Sequence, residues 1–154
     1  MTLHICAPVA GTTVPMTEVP DPVFAQEIVG PGVAIDPLAT AGWASVDVLA
    51  PLEGRVLKLH PHAFVVVSGS GQGVLVHLGI DTVQLAGAGY TLHVAEGEQV
   101  EVGQRMVTFS PQVIADGGRS PVCPVVALDA RSGQVRVVAS GTVAAGDPLL
   151  EWKP

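Results

Sequence analysis

The sequence predicts an all-β fold: an antiparallel β-sandwich or flattened barrel, internally duplicated, with one or two short helical turns. Three observations predict it. The 18 glycines and 13 prolines are spread along all 154 residues and do not gather in a linker. Valine dominates the apolar residues, and β-branched runs broken by turn residues read as short strands. Finally, local patterns recur at an almost constant spacing, as they do in a chain built from two similar units.

The repeats come first along the chain. Ala7-Pro8-Val9-Ala10-Gly11-Thr12-Thr13-Val14 is echoed by Ala50-Pro51-Leu52-Glu53-Gly54-Arg55-Val56-Leu57, an offset of 43 positions. Gly97-Glu98-Gln99-Val100-Glu101-Val102-Gly103-Gln104 is echoed, one residue shorter, by Gly141 to Asp147, an offset of 44. Each echo predicts a strand ending at a glycine turn and a second strand opening on a β-branched residue. Pro22 to Val29 predicts a helical turn or two with proline at its start. Strand character also marks Ala63–Val67, Val74–Leu78, Tyr90–Val94, Arg105–Phe109, Pro124–Leu128 and Gln134–Val138, and Asp116–Ser120 reads as a loop.

Composition bounds the function. Hydrophobic residues make up 48% and charged residues 14%, so most of the chain is expected to be buried in one domain spanning residues 1–154. The formal charge of −7, with no cluster among seven basic residues, argues against nucleic acid. It suits a basic protein partner, or simply solubility. Cys6 and Cys123 lack metal-type spacing, and neither a signal peptide nor an apolar run long enough to insert in a membrane is evident. The expectation is a cytoplasmic monomer with reduced thiols.

Among the five histidines, His4 and His93 have no polar company in sequence. His60, His62 and His77 instead gather around one hairpin: His60-Pro61-His62-Ala63-Phe64-Val65-Val66-Val67, a Ser/Gly loop, then Val74-Leu75-Val76-His77. Strands joined by such a loop lie side by side, so His62 and His77 can meet across the pair. Leu78-Gly79-Ile80-Asp81-Thr82-Val83 follows, with Gly79 permitting close backbone approach and Asp81 adding a carboxylate. An imidazole is a competent nucleophile near neutral pH, and a second one can donate to phosphoryl oxygens. Two histidines and a carboxylate are equally ordinary zinc ligands. Spacing alone ranks zinc binding and phosphoryl transfer level, with a structural histidine pair close behind.

The segment Val76-His77-Leu78-Gly79-Ile80-Asp81-Thr82-Val83, followed by Gly87-Ala88-Gly89-Tyr90, resembles the signature of the glucose-class enzyme IIA domains of the bacterial phosphoenolpyruvate-dependent sugar phosphotransferase system. His62-Ala63-Phe64, Val19 to Ala25, Val29 to Ile35 and Thr142 to Asp147 are similar to further family segments in the same order. The resemblance implies a duplicated β-sandwich and a phosphocarrier that needs no metal or cofactor. It implies that His77 is the phosphorylated nucleophile, that His62 stabilises the phosphoryl oxygens, and that Asp81 frames the site. It implies a docking face of Pro22, Val23, Phe24, Ile28, Val29, Leu75 and Val83, with Asp21 facing an arginine of the partner. The implied partners are the histidine-containing phosphocarrier protein and the IIB domain of a glucose-class sugar permease. Regulatory proteins could share that surface, with zinc held between His62 and His77 at such an interface. Where the family carries threonine two residues before its first histidine this chain has His60, so His60 and Thr82 are the candidates for holding the rings. The chain starts close to its first strand and carries no fused permease, as expected of a stand-alone IIA protein.

Two other classes compete. A zinc metallopeptidase of the lysostaphin type would use His60-Pro61-His62 and His77 to Asp81, although in reversed order. A biotinyl or lipoyl carrier needs a lysine on an exposed hairpin, and neither Lys58 nor Lys153 lies in one.

Overall fold

The computed structural model describes residues 1–38 and 44–154. Among them the strands are β1 (Leu3–Cys6), β2 (Gly11–Pro15), β3 (Gly32–Asp36), β4 (Val46–Leu49), β5 (Gly54–His60), β6 (Ala63–Val67) and β7 (Gly73–His77). The second half adds β8 (Tyr90–Leu92), β9 (Gln99–Val100), β10 (Arg105–Phe109), β11 (Cys123–Ala127), β12 (Val135–Val137), β13 (Thr142–Val143) and β14 (Pro148–Trp152). Among the described residues are two short helices, α1 (Pro22–Ala25) and α2 (Pro111–Asp116), and 3-10 turns at Met16–Glu18, Thr82–Leu85 and Ser132–Gln134. The predicted all-β antiparallel class is the observed one.

One sheet has eight strands in the order β13-β2-β3-β11-β7-β6-β5-β9, and two have three, β1-β14-β12 and β4-β10-β8. Every pairing is antiparallel. Counted inward from its two edges the large sheet reads alike, with β13 answering β9, β2 answering β5, β3 answering β6 and β11 answering β7. The small sheets correspond residue by residue. Leu3, His4 and Ile5 pair with Trp152, Glu151 and Leu150, as Val46, Asp47 and Val48 pair with Phe109, Thr108 and Val107, each displaced by 43 positions. The units also lock together symmetrically: the Cys6 amide donates to the Pro51 carbonyl at 2.8 Å and the Leu49 amide to the Pro8 carbonyl at 2.9 Å.

The repeated glycines are not all turn residues. Gly11 and Gly54 open β2 and β5, where a Cβ would lie 2.3 Å from the Asp36 carbonyl oxygen and 2.2 Å from that of Val67. They are there so that two backbones can cross closely. Gly97, Gly103, Gly141 and Gly146 have positive φ, as the predicted turns require. The helix α2, just before the predicted loop, went unread although Ser110-Pro111 and Gly117-Gly118 bracket it with ordinary start and stop signals.

Strand alternation gives the large sheet two faces. Phe64, Val66, Val74, Val76 and Val125 join the small-sheet residues Val48, Val107 and Phe109 in the main core. Leu75 and Val126 face the other way, into a second cluster with Met16, Val19, Phe24 and Ile80. The chain between β2 and β3 covers that side. His77, two residues beyond Leu75, points to the same side at the end of β7.

Candidate functional site

The hairpin β6–β7 pairs Ala63 with His77 at its open end and Val67 with Gly73 at its loop. His62 is therefore not directly opposite His77. It occupies the tight turn Pro61–His62, closed by His60 pairing with Ala63, and its carbonyl accepts the Leu78 amide at 2.7 Å. The turn brings the rings together all the same: the centroids of His62 and His77 are 5.2 Å apart, edge to face at 65°. Phe24 approaches the His77 ring at 5.3 Å, also edge-on. Phe24 is only 6% exposed and belongs to the second core, so it is a wall for His77 and not an open docking residue.

The His77 ring is held by the chain that follows it. Its Nδ1 lies 2.5 Å from the Gly79 carbonyl oxygen. A carbonyl only accepts, so Nδ1 carries the hydrogen and Nε2 keeps its lone pair. Gly79 has φ +86°, and a Cβ there would meet Thr82 Cγ2 at 2.6 Å and Ile114 Cδ1 and the Ser120 carbonyl at 3.1 Å. Asp81 takes up a left-handed conformation, φ 59°, a region aspartate enters more readily than most residues. The chain thereby doubles back and Thr82 Oγ1 donates to the Leu78 carbonyl at 2.9 Å, 3.4 Å from that of Gly79. Tyr90 Oη donates to the Leu78 carbonyl at 2.8 Å.

Burial pushes His77 below the ordinary histidine range, against the opposing pull of the Gly79 hydrogen bond and of the Asp21 and Asp81 carboxylates. Burial also lowers His62, followed by the like charges of His77 and His60. Both rings are thus neutral at neutral pH. Tyr90 is pushed up to about 12, mainly by burial, and remains a donor throughout the physiological range.

The predicted residues fall into four groups. His62, His77 and Phe24 form the contact described above, with Asp21 and Asp81 acting on His77 electrostatically. Asp21 also caps α1, its Oδ1 accepting the Val23 amide at 2.9 Å with Pro22 in the first helical position. Val23 (40% exposed), Ile28 (65%) and Val83 (61%) are open to solvent, as is Pro22. Val29 and Leu75 are half-buried edges of the second core. Thr82 does support the His77 carbonyl partner. His60 makes no ring hydrogen bond among the described residues; it stacks on His62 at 5.7 Å and 22°. The Tyr90 hydroxyl and the α2 residue Ile114 complete the support, Tyr90 within a motif already read and Ile114 within a helix that was not.

Among the described residues no group of three or more His, Cys, Asp or Glu side chains is placed to hold a metal ion. The donor set of the metallopeptidase reading is therefore not assembled. No described helix is long and apolar enough to cross a membrane.

The family model described as phosphoenolpyruvate-dependent sugar phosphotransferase system, EIIA 1, matches residues 3–133. The solved structure of glucose permease IIA from Mycoplasma capricolum is similar along nearly the whole length. Its TM-score is 0.87 at 32% identity, covering 98% of this chain and 96% of that one.

Proposed function

Since the chain belongs to the phosphoenolpyruvate-dependent sugar phosphotransferase system, EIIA 1, and so has a phosphocarrier role in sugar transport, we propose that His77 Nε2 is the atom that carries the phosphoryl group. The supporting observation is the hydrogen bond from Nδ1 to the Gly79 carbonyl, which leaves Nε2 as the free lone pair. In the transfer a bond forms from Nε2 to phosphorus as the donor's nitrogen–phosphorus bond breaks, and the proton on Nδ1 stays where it is. Charge spreads over the three equatorial oxygens, so the protein's task is positioning and hydrogen bonding. His62, edge-on to His77, is the side chain that donates to those oxygens. The proposed transfer uses no metal or cofactor.

The donor we assign is the phosphohistidine of the histidine-containing phosphocarrier protein, and the acceptor is the IIB domain of a sugar permease. One open face serves both. Val23, Ile28 and Val83 give it apolar area, and Asp21 and Asp81 give it negative charge that attracts a basic partner. Because one phosphohistidine replaces another in the first transfer, the exchange runs readily in either direction.

The test is incubation with phosphoenolpyruvate, enzyme I and the phosphocarrier protein, followed by intact mass. Wild type and His62→Ala are expected to gain one acid-labile phosphoryl group, and His77→Ala none. Label lost from His62→Ala alone would reverse the two roles. No label on any variant would remove the phosphocarrier reading of this site.

A further inference from the structure

The two central rings are secured differently. His77 is tied through Nδ1 to a carbonyl, while among the described residues neither ring nitrogen of His62 makes a hydrogen bond. The His62 backbone is fixed, since its carbonyl accepts the Leu78 amide at 2.7 Å and Pro61 restricts the turn. Its ring packs against two neighbouring rings. His77 stands edge-on to it, and His60 lies nearly parallel to it at 22° with centroids 5.7 Å apart. Offset stacking at this distance is a favourable aromatic geometry. We propose that His60 is a positioning residue of the phosphoryl-transfer site, its stacked ring holding His62 edge-on to His77 while the phosphoryl group arrives and leaves.

The inference rests on the phosphocarrier reading and adds a third imidazole to it. A two-residue turn is what makes the stack: His60 ends β5, His62 precedes β6, and Pro61 lies between them against the Gly87 turn, whose Cβ position would be 3.3 Å from Pro61 Cγ. Titratable groups near His60 include His62, Lys58 two residues earlier on β5, and Glu96, whose Oε2 accepts the Leu59 amide at 3.1 Å. Asp21 and Asp81 act beyond it, on His77. His60 itself is exposed, so replacing it removes little from the core. A charge on His60 opposes one on His62, so the pH at which His62 takes a proton reports how near His60 stands, while the transfer rate reports the stack.

Two substitutions separate the ring from its charge. His60→Ala removes both; His60→Phe keeps a stacking ring without the charge. We expect His60→Ala to transfer phosphoryl groups to the phosphocarrier protein or from it about tenfold more slowly, with thermal stability unchanged, since a small misplacement of a reacting group costs at least this much. His60→Phe is expected to recover most of the rate. In both variants, ring NMR titration of the unphosphorylated protein should move His62 protonation to higher pH. Wild-type transfer rates and an unmoved His62 titration in His60→Ala would overturn the inference alone. A wild type that takes up no phosphoryl group would overturn the phosphocarrier reading, and this inference with it.

Discussion

The two units of this molecule share a strand framework and differ in the lengths of their connections, most of all in one. From Pro15 to Gly32 the first half runs through residues 16–31; the matching link in the second half, from His60 to Ala63, is Pro61 and His62 alone. The long link folds over the sheet with Met16, Val19 and Phe24 and seals the face beneath it. The position matching His77 in the other unit is Val126, since Gly32 pairs with Val126 as Ala63 pairs with His77. Val126 is fully buried, whereas His77 is left partly open at the end of β7. The comparison teaches that the duplication supplies the scaffold, and unequal loops make one of two equivalent positions reactive. The long link then contributes a second time, by setting Phe24 against the His77 ring and Asp21 near it.

Three measurements test how scaffold and loops divide these roles. The largest effect concerns what the halves share. Gly11→Ala and Gly54→Ala each force a Cβ into a carbonyl oxygen at 2.3 and 2.2 Å. Each is expected to cost about 4 kcal/mol in denaturant unfolding. Gly69→Ala, with nothing within 4 Å, is expected to be neutral within about 0.5 kcal/mol. Unequal losses at the two equivalent glycines would weaken the matched framework.

The next effect concerns what the halves do not share. Phe24→Ala removes a buried ring from the long link, at an expected cost of about 3 kcal/mol in the same unfolding measurement. It also frees one edge of His77, so phosphoryl transfer should slow even where the variant is fully folded. A variant less stable but undiminished in transfer rate would limit Phe24 to packing.

The smallest effect is on pH. His62 and His77 are both depressed by burial, so below the unfolded histidine value of about 6.5 the unfolded chain binds protons that the folded one refuses. Their contribution to stability is complete above that pH and is lost as pH falls through the folded values. The melting temperature should therefore drop on acidification from pH 7, and drop less in a variant carrying His62→Gln and His77→Gln together. An equal drop in both proteins would mean that other groups govern acid sensitivity.

Much of this was legible in the sequence because it lies in local pattern. The 43-residue echo announced the duplication, and valine runs with glycine breaks placed β6, β7 and β10 closely. His62 and His77 could be paired because a hairpin leaves few ways to arrange two flanking residues. What escaped depends on tertiary contact. Gly11 and Gly54 look like turn glycines until the opposing carbonyl is seen. The resemblance places Phe24 in an open docking face, yet the second core beneath it takes up the ring. A histidine two residues from another suggests a hydrogen bond, whereas the turn geometry makes a stack.

The proposed transfer turns on one atom, His77 Nε2, and nitrogen-resolved NMR of phosphorylated protein labelled in its histidine rings tests it most directly. The prediction is phosphorus bonded to Nε2 of His77, with the hydrogen still on Nδ1 facing the Gly79 carbonyl. Phosphorus on Nδ1 of His77, or on His62, would contradict it.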